Sequence, residues 1–206
     1  MNAKAHWDSL YGTQSAESLS WYAPHLKQSL EYVKKAAPKK DVSIIDIGGG
    51  ESTLVDDLLA EGYINVTVLD LSKTALDATK QRLGRLAKSV NWQAADVLEV
   101  ELPTQAYDIW HDRAVFHFLT TDAQRARYVS QVLKALKPGG FAIVGTFGPE
   151  GPDQCSGLPV SRYAPAELHG KFGEPFLLVN SSVEIHTTPW GSTQQFVYCF
   201  CRREAR

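Results

Sequence analysis

Three consecutive glycines, Gly48, Gly49 and Gly50, close the apolar run VSIIDIG and precede a segment of helical periodicity. A glycine turn between a buried strand and a helix lets a ligand approach the backbone and meet the free amides of the helix N-terminus. Taken alone, the turn is also compatible with a tight connection that binds nothing. Two carboxylates add chemistry: Asp70 ends the next apolar run, NVTVLD, 20 residues beyond Gly50, and Asp96 ends the third, VNWQAAD. Ligands of an open parallel sheet lie beyond the carboxyl ends of its strands. A carboxylate at the second strand end can accept both hydroxyls of a ribose, and one at the third can accept the exocyclic amine of adenine. The three positions converge on one nucleoside.

A dinucleotide uses a similar turn and acid, but its pattern is GxGxxG, and the third position after Gly50 is Thr53, so the glycine that permits close helix packing is missing. Asp46, just ahead of the turn, would sit badly near a pyrophosphate and tolerates a cationic sulfonium or ammonium group. At the end of a fourth run, YDIWHD, stand Asp112, Arg113 and His117. His117, or else Asp112, is the candidate general base, and Arg113 is a partner for an acid or for a cofactor carboxylate. The competing reading of His117 is a helix histidine bonded to backbone or packed beneath a loop. His6, His111, His169 and His186 carry no comparable positional argument. Cys199 and Cys201 share one face of a strand and Cys155 lies in a loop, a trio able to capture a thiophilic metalloid. With no close CxxC pair, free thiols packed as small apolar residues are the better expectation, and no metal is expected.

These residues need an alternating scaffold, and from residue 42 onward Val- and Ile-rich runs alternate with helix-period segments, the pattern of an α/β fold with a parallel sheet. Strands are expected at 42–48, 65–70, 90–96, 107–112 and 141–147. A first helix is capped by Ser52, turns Leu54, Val55, Leu58 and Leu59 to one face and ends at Gly62. A second, capped by Ser72, runs through Leu76, Leu83 and Leu86. Thr121 and Gln124 form a capping box for a third, with Ala126, Val129, Val132, Leu133 and Leu136 inward and Pro138, Gly139 and Gly140 as its stop. The stretch GPEGPDQCSGLP reads as irregular loop, and FLLVNSSVEIH and QQFVYCF as a long hairpin turning near Pro189 and Gly191. The first forty residues show no strand signal and are rich in aromatics, which indicates helices. Trp7, Trp21 and Tyr22 are either packing on the sheet or a lid over the ligand.

The length of 206 residues and 44% hydrophobic content suit one domain, with 1–40 as a helical lid and 41–206 as the core. Lys plus Arg number 21 against 23 Asp plus Glu, so nucleic acid and anionic membrane are not expected partners. Without a long apolar run or a leader pattern, a cytoplasmic location is expected.

The segments IIDIGGGES, VTVLDLS, AADV, YDIWHDRAVFHFL and LKPGGFAIVGTF together resemble the successive motifs of class I S-adenosylmethionine-dependent methyltransferases. The resemblance implies a Rossmann-like, doubly wound seven-stranded sheet, mostly parallel with an antiparallel C-terminal strand. It implies S-adenosylmethionine as cofactor, with Asp46 and Gly48 to Gly50 along its methionine part, Asp70 and Leu71 at the ribose, and Asp96 and Val97 at the adenine. The opening HWDSLYG with the later WY is similar to the lid of small methyltransferases acting on thiols or on lysines of translation factors, and WHDRAVFHFL is closer to the thiopurine type. The Asn/Asp-Pro-Pro-Tyr/Phe element of many amino-directed nucleic-acid and glutamine methyltransferases is missing. A small-molecule nucleophile, with a thiol as the candidate, is the leading acceptor. A lysine on a protein partner is the alternative, and a non-catalytic S-adenosylmethionine-binding module a third.

Overall fold

The structure is a computed structural model and describes residues 3–205. One seven-stranded sheet organises it, in the order β3-β2-β1-β4-β5-β7-β6. The strands are β1 (Ser43–Ile47), β2 (Asn65–Asp70), β3 (Val90–Ala94), β4 (Tyr107–Arg113), β5 (Leu136–Phe147), β6 (Phe176–Thr187) and β7 (Thr193–Arg203). Strands β1 to β5 pair in parallel, and β7 runs antiparallel to both β5 and β6. The helices are α1 (Ala3–Thr13), α2 (Lys27–Ala36), α3 (Leu54–Ala60), α4 (Lys73–Leu83), α5 (Asp122–Ala135) and α6 (Pro165–Phe172). The sheet is thus the doubly wound, mostly parallel arrangement implied by the motifs.

Alternation along the central strands supplies two cores. Ile45 and Ile47 pack with Tyr128, Val132, Leu168 and Phe172 of α5 and α6, while Ile44 packs with Tyr32, Val33, Leu54, Leu58 and Leu76 of α2, α3 and α4. Strands buried on both faces require near-continuous apolar sequence, which is why β1 and β2 are so readily recognised. The capping box of α5 forms, with Gln124 N–H donating to Thr121 Oγ1 at 3.3 Å and Thr121 N–H to Gln124 Oε1 at 3.2 Å. Ser52 accepts the Leu54 N–H at 3.2 Å, Ser72 caps α4, and Gly62 follows α3 at φ +88°.

Several boundaries differ from the sequence reading. Helix α5 turns Tyr128, Val132 and Ala135 inward and leaves Ala126 exposed. Its inward stripe is anchored by the Tyr128 ring, which stands edge-on to Trp110 and Phe116. Leu136 belongs to β5, where Lys137 to Gly140 form an irregularity between the Leu136 and Phe141 pairings, accommodated by Gly139 at φ +78°. Leu86 lies in a 3₁₀ segment after Gly84 and is 58% exposed. Strand β3 stops at Ala94, so Asp96 stands in the following loop. The Gly/Pro-rich loop contains a short hairpin pairing Gln154–Cys155 with Leu158–Pro159, turned by Ser156 and Gly157 at φ 51° and 74°. Cys155 lies in one core and Cys199 and Cys201 in the other; all three are free thiols. Among the described residues no helix is long and apolar enough to cross a membrane.

Candidate active site

A cavity of about 250 Å³ opens at the carboxyl ends of β1 to β4 beneath α1. Its floor starts from register. Asp46 lies opposite His111 across the β1–β4 pair, so both side chains rise on one face, and His111 Nδ1 meets Asp46 Oδ1 at 2.7 Å. A carboxylate only accepts, so Nδ1 carries the proton. His111 Nε2 is 2.8 Å from Ser29 Oγ, which is 3.2 Å from the Tyr198 hydroxyl. Burial pushes that hydroxyl up to about 12. The other Asp46 oxygen, Oδ2, is buried without a partner on a residue that borders the cavity.

Of the glycine turn, Gly48 borders the cavity and Gly49 and Gly50 do not, and all three are packed too closely for a side chain. A Cβ at Gly48 would stand 2.1 Å from Val115 Cγ2, one at Gly49 2.6 Å from Asp46 Oδ2, and one at Gly50 2.7 Å from Asp70 Oδ2. Gly48 also holds φ +68°. The turn amides do not stand free for a ligand as the sequence suggested. Those of Gly48 and Gly49 donate to Leu69 O, at 2.7 and 3.3 Å, and that of Gly50 to Asp70 Oδ2 at 2.9 Å. The turn therefore lets Val115, Asp46 and Asp70 close in on the backbone.

Asp70 is buried at the end of β2 and borders the cavity with Leu71. Burial pushes its carboxyl up to about 6, against the lowering effect of the Ser72 and Gly50 N–H groups. Each of its oxygens receives one of those N–H groups, which leaves a lone pair on each for ribose hydroxyls. Asp96 accepts the Leu98 N–H on Oδ1 at 2.8 Å and borders the cavity beside Val97. An unpartnered carboxylate oxygen at Asp46, the cavity beside Gly48 and acceptors at Asp70 and Asp96 fit a cationic adenosine ligand such as S-adenosylmethionine.

Helix α1 roofs the cavity. None of its residues is buried, yet Asp8 accepts the Ser72 hydroxyl at 2.7 Å and so ties α1 to the start of α4. Hydrogen bonds from Lys4 and Ser72 hold the Asp8 carboxyl down at about 2. Trp7 stands edge-on to Trp21 and Phe118 at ring-centroid distances of 6.0 and 5.2 Å, and Trp7, Tyr11, Trp21 and Tyr22 all border the cavity. The aromatic N-terminal segment is thus placed over the cavity.

The structure separates the three residues read together at the end of β4. Arg113 borders the cavity and donates from Nη1 to Trp21 O at 3.1 Å. Asp112 does not border it, because successive strand residues face opposite sides. Its oxygens take the N–H groups of Val115 and Phe116 and, at 2.5 Å, the Tyr128 hydroxyl on the α5 side. Burial pushes its carboxyl up to about 6. His117 is fully buried against Phe118 and Phe147, accepts the Phe147 N–H at 3.4 Å and does not border the cavity. Burial, with the nearby Arg113 charge, drives it down to about 3. The histidine at the cavity is His111, which the sequence reading passed over. The available signal was period two: if Arg113 faces the ligand, His111 shares its side and Asp112 does not.

The fold and site define a doubly wound α/β protein with a pocket for a cationic adenosine cofactor. Comparison with known proteins agrees. A methyltransferase-domain family profile matches residues 44–140. EEF1A lysine methyltransferase 2 of Danio rerio is 23% identical over 158 residues, covering 70% of this chain and 68% of that protein. The chain spans 20% of the longer murine eEF1A lysine and N-terminal methyltransferase that it also matches. Among solved structures, one associated with conversion of a disulfide bond into a thioacetal group during echinomycin biosynthesis superposes with TM-score 0.79 at 19% identity, covering 98% of this chain and 94% of that one. The 1,6-didemethyltoxoflavin-N1-methyltransferase of Burkholderia thailandensis, solved with S-adenosylhomocysteine, gives TM-score 0.70 at 18% identity over 98% and 88% of the two chains. Residues 44–140 form a methyltransferase domain, and S-adenosylmethionine is its cofactor.

Proposed function

We propose that the chain methylates a nucleophilic atom, of which a thiol sulfur is the leading candidate, on a small molecule enclosed beneath α1. One observation carries this reading: the cavity is roofed by Trp7, Tyr11 and Trp21, which suits a small acceptor held out of water. Bound S-adenosylmethionine supplies an electrophilic sulfonium methyl. We assign Asp46 Oδ2 to its ammonium group, Asp70 with Leu71 to the ribose, and Asp96 with Val97 to the adenine. The chain's own contribution is to align the acceptor and exclude water, because charge separation falls as a nucleophile meets a sulfonium. We assign any proton taken from the acceptor to His111 Nε2, which gives up its Ser29 hydrogen bond to receive it while Nδ1 stays bonded to Asp46, in preference to His117 or Asp112, because His111 borders the cavity.

A second reading, methylation of a lysine on a protein, draws on the eEF1A-directed names of the curated relatives. Methyl-labelled S-adenosylmethionine incubated with the enzyme and a cell lysate separates the two. Label is expected in the low-mass fraction; label confined to lysines of protein bands would replace the small-molecule reading with the second one.

A further inference from the structure

Among the described residues Arg113 is the one arginine bordering the cavity, and its side chain is 4% exposed. Only Nη1 has a hydrogen-bond partner, the Trp21 carbonyl; Nε and Nη2 are buried with none. Glu184 Oε2 lies 3.8 Å from Nη2, too far for a hydrogen bond, so it balances charge without occupying the donors. The Phe196 ring centroid lies 4.0 Å from the guanidinium carbon, a cation–π contact that takes up no N–H donor. Tyr198, beside it, has its hydroxyl 3.2 Å from Ser29 Oγ and its oxygen turned to the Arg113 side chain as an acceptor. Cys155, also bordering the cavity, has its thiol pushed up to about 11 by burial and so brings no competing charge at neutral pH.

Buried guanidinium donors without acceptors are costly, and they pair most strongly with a planar oxyanion. The neighbours of Arg113, namely Trp21, Glu184, Phe196 and Tyr198, come from the lid and from β6 and β7, whereas the cofactor carboxylates come from β1, β2 and the loop after β3. We propose that Arg113 is the recognition residue for an acidic acceptor, receiving a carboxylate of the small molecule at the lid end of the cavity. This rests on the reading of a small acceptor, but it is tested by binding alone, so its failure is distinct from that of the labelling experiment.

Benzoate, benzamide and benzylamine, titrated into the S-adenosylhomocysteine-loaded enzyme, probe one ring with three charges. Benzoate is expected to bind at least tenfold more tightly than benzamide, with benzylamine weakest. Arg113→Gln should erase the preference while S-adenosylhomocysteine affinity stays within twofold. Arg113→Lys keeps the charge but loses the fork; it should cut benzoate affinity about fivefold, and serves as the test if Arg113→Gln does not fold. Equal binding of benzoate and benzamide, or no benzoate binding, would overturn the proposal. So would a tenfold loss of S-adenosylhomocysteine affinity in either variant, which would place the cofactor carboxylate at Arg113.

Discussion

At the end of the cavity formed by β1 to β3, the wall is Gly48, the carboxylates of Asp46, Asp70 and Asp96, and apolar residues such as Leu71 and Val97. At the other end it is aromatic rings and one guanidinium, drawn from α1, the segment through Trp21, and β4. The first end follows from strand register and turn geometry, so its shape is rigid and suits a ligand that does not vary. The second borrows a helix with no buried residue, held by a few polar contacts and ring edges. Elements with few buried contacts open at low cost, which is what admission of an acceptor demands.

The largest expected effect tests the rigid end. Gly48→Ala adds a Cβ to a residue at φ +68° with Val115 Cγ2 only 2.1 Å away, so the turn must shift. Calorimetry should show S-adenosylhomocysteine affinity reduced at least a hundredfold, roughly 3 kcal/mol. Near-normal affinity in a folded protein would mean the turn yields as easily as the lid.

A second experiment compares two buried carboxylates, both pushed up to about 6, that serve different ends. Asp70→Asn should weaken cofactor binding by about 1.5–3 kcal/mol, the range for hydrogen bonds to charged groups. Wild-type affinity should rise between pH 5 and 7 as Asp70 ionises, and the variant should lose that slope. Asp112→Asn, by contrast, sets an amide donor among the Val115, Phe116 and Tyr128 donors, so it should lower the melting temperature and leave affinity within twofold. For stability the sign is opposite to that of the usual paired carboxylate. The folded state holds these protons more tightly than the unfolded chain, so their contribution is largest below about pH 4 and is lost as pH rises through 6. An affinity loss in Asp112→Asn equal to that in Asp70→Asn would show that the two sites are not separate.

The smallest effect on cofactor binding is expected at the lid. Trp7→Ala removes the ring that meets both Trp21 and Phe118. Turnover on an acceptor found by labelling should fall about tenfold or more, while S-adenosylhomocysteine affinity changes less than threefold and the melting temperature little, since α1 has no buried residue. Turnover unchanged from wild type would make the N-terminal segment scaffold and remove the contrast between the ends.

The residues themselves determined a good deal. Continuous apolar runs could form only strands buried on both sides, the glycine turn required close approach, and Asp70 and Asp96 had to stand near strand ends. These are local consequences of period, chain stiffness and backbone freedom, and they persist whatever packs around them. What tertiary structure decided was which neighbours met. Asp112 and Arg113 are adjacent in sequence yet face opposite sides of β4, and the α5 tyrosine claims the first while the Trp21 carbonyl meets the second. His111 became a cavity residue because β4 pairs with β1 in the register that sets it beside Asp46, with Ser29 of α2 closing over it. His117, close to the strand end in sequence, was sealed between Phe118 and Phe147 by a 3₁₀ turn. Register, strand face and the fit of distant rings are long-range properties, carried by contacts between residues tens of positions apart, and they separate the charged groups that reach the cavity from those that only hold its walls.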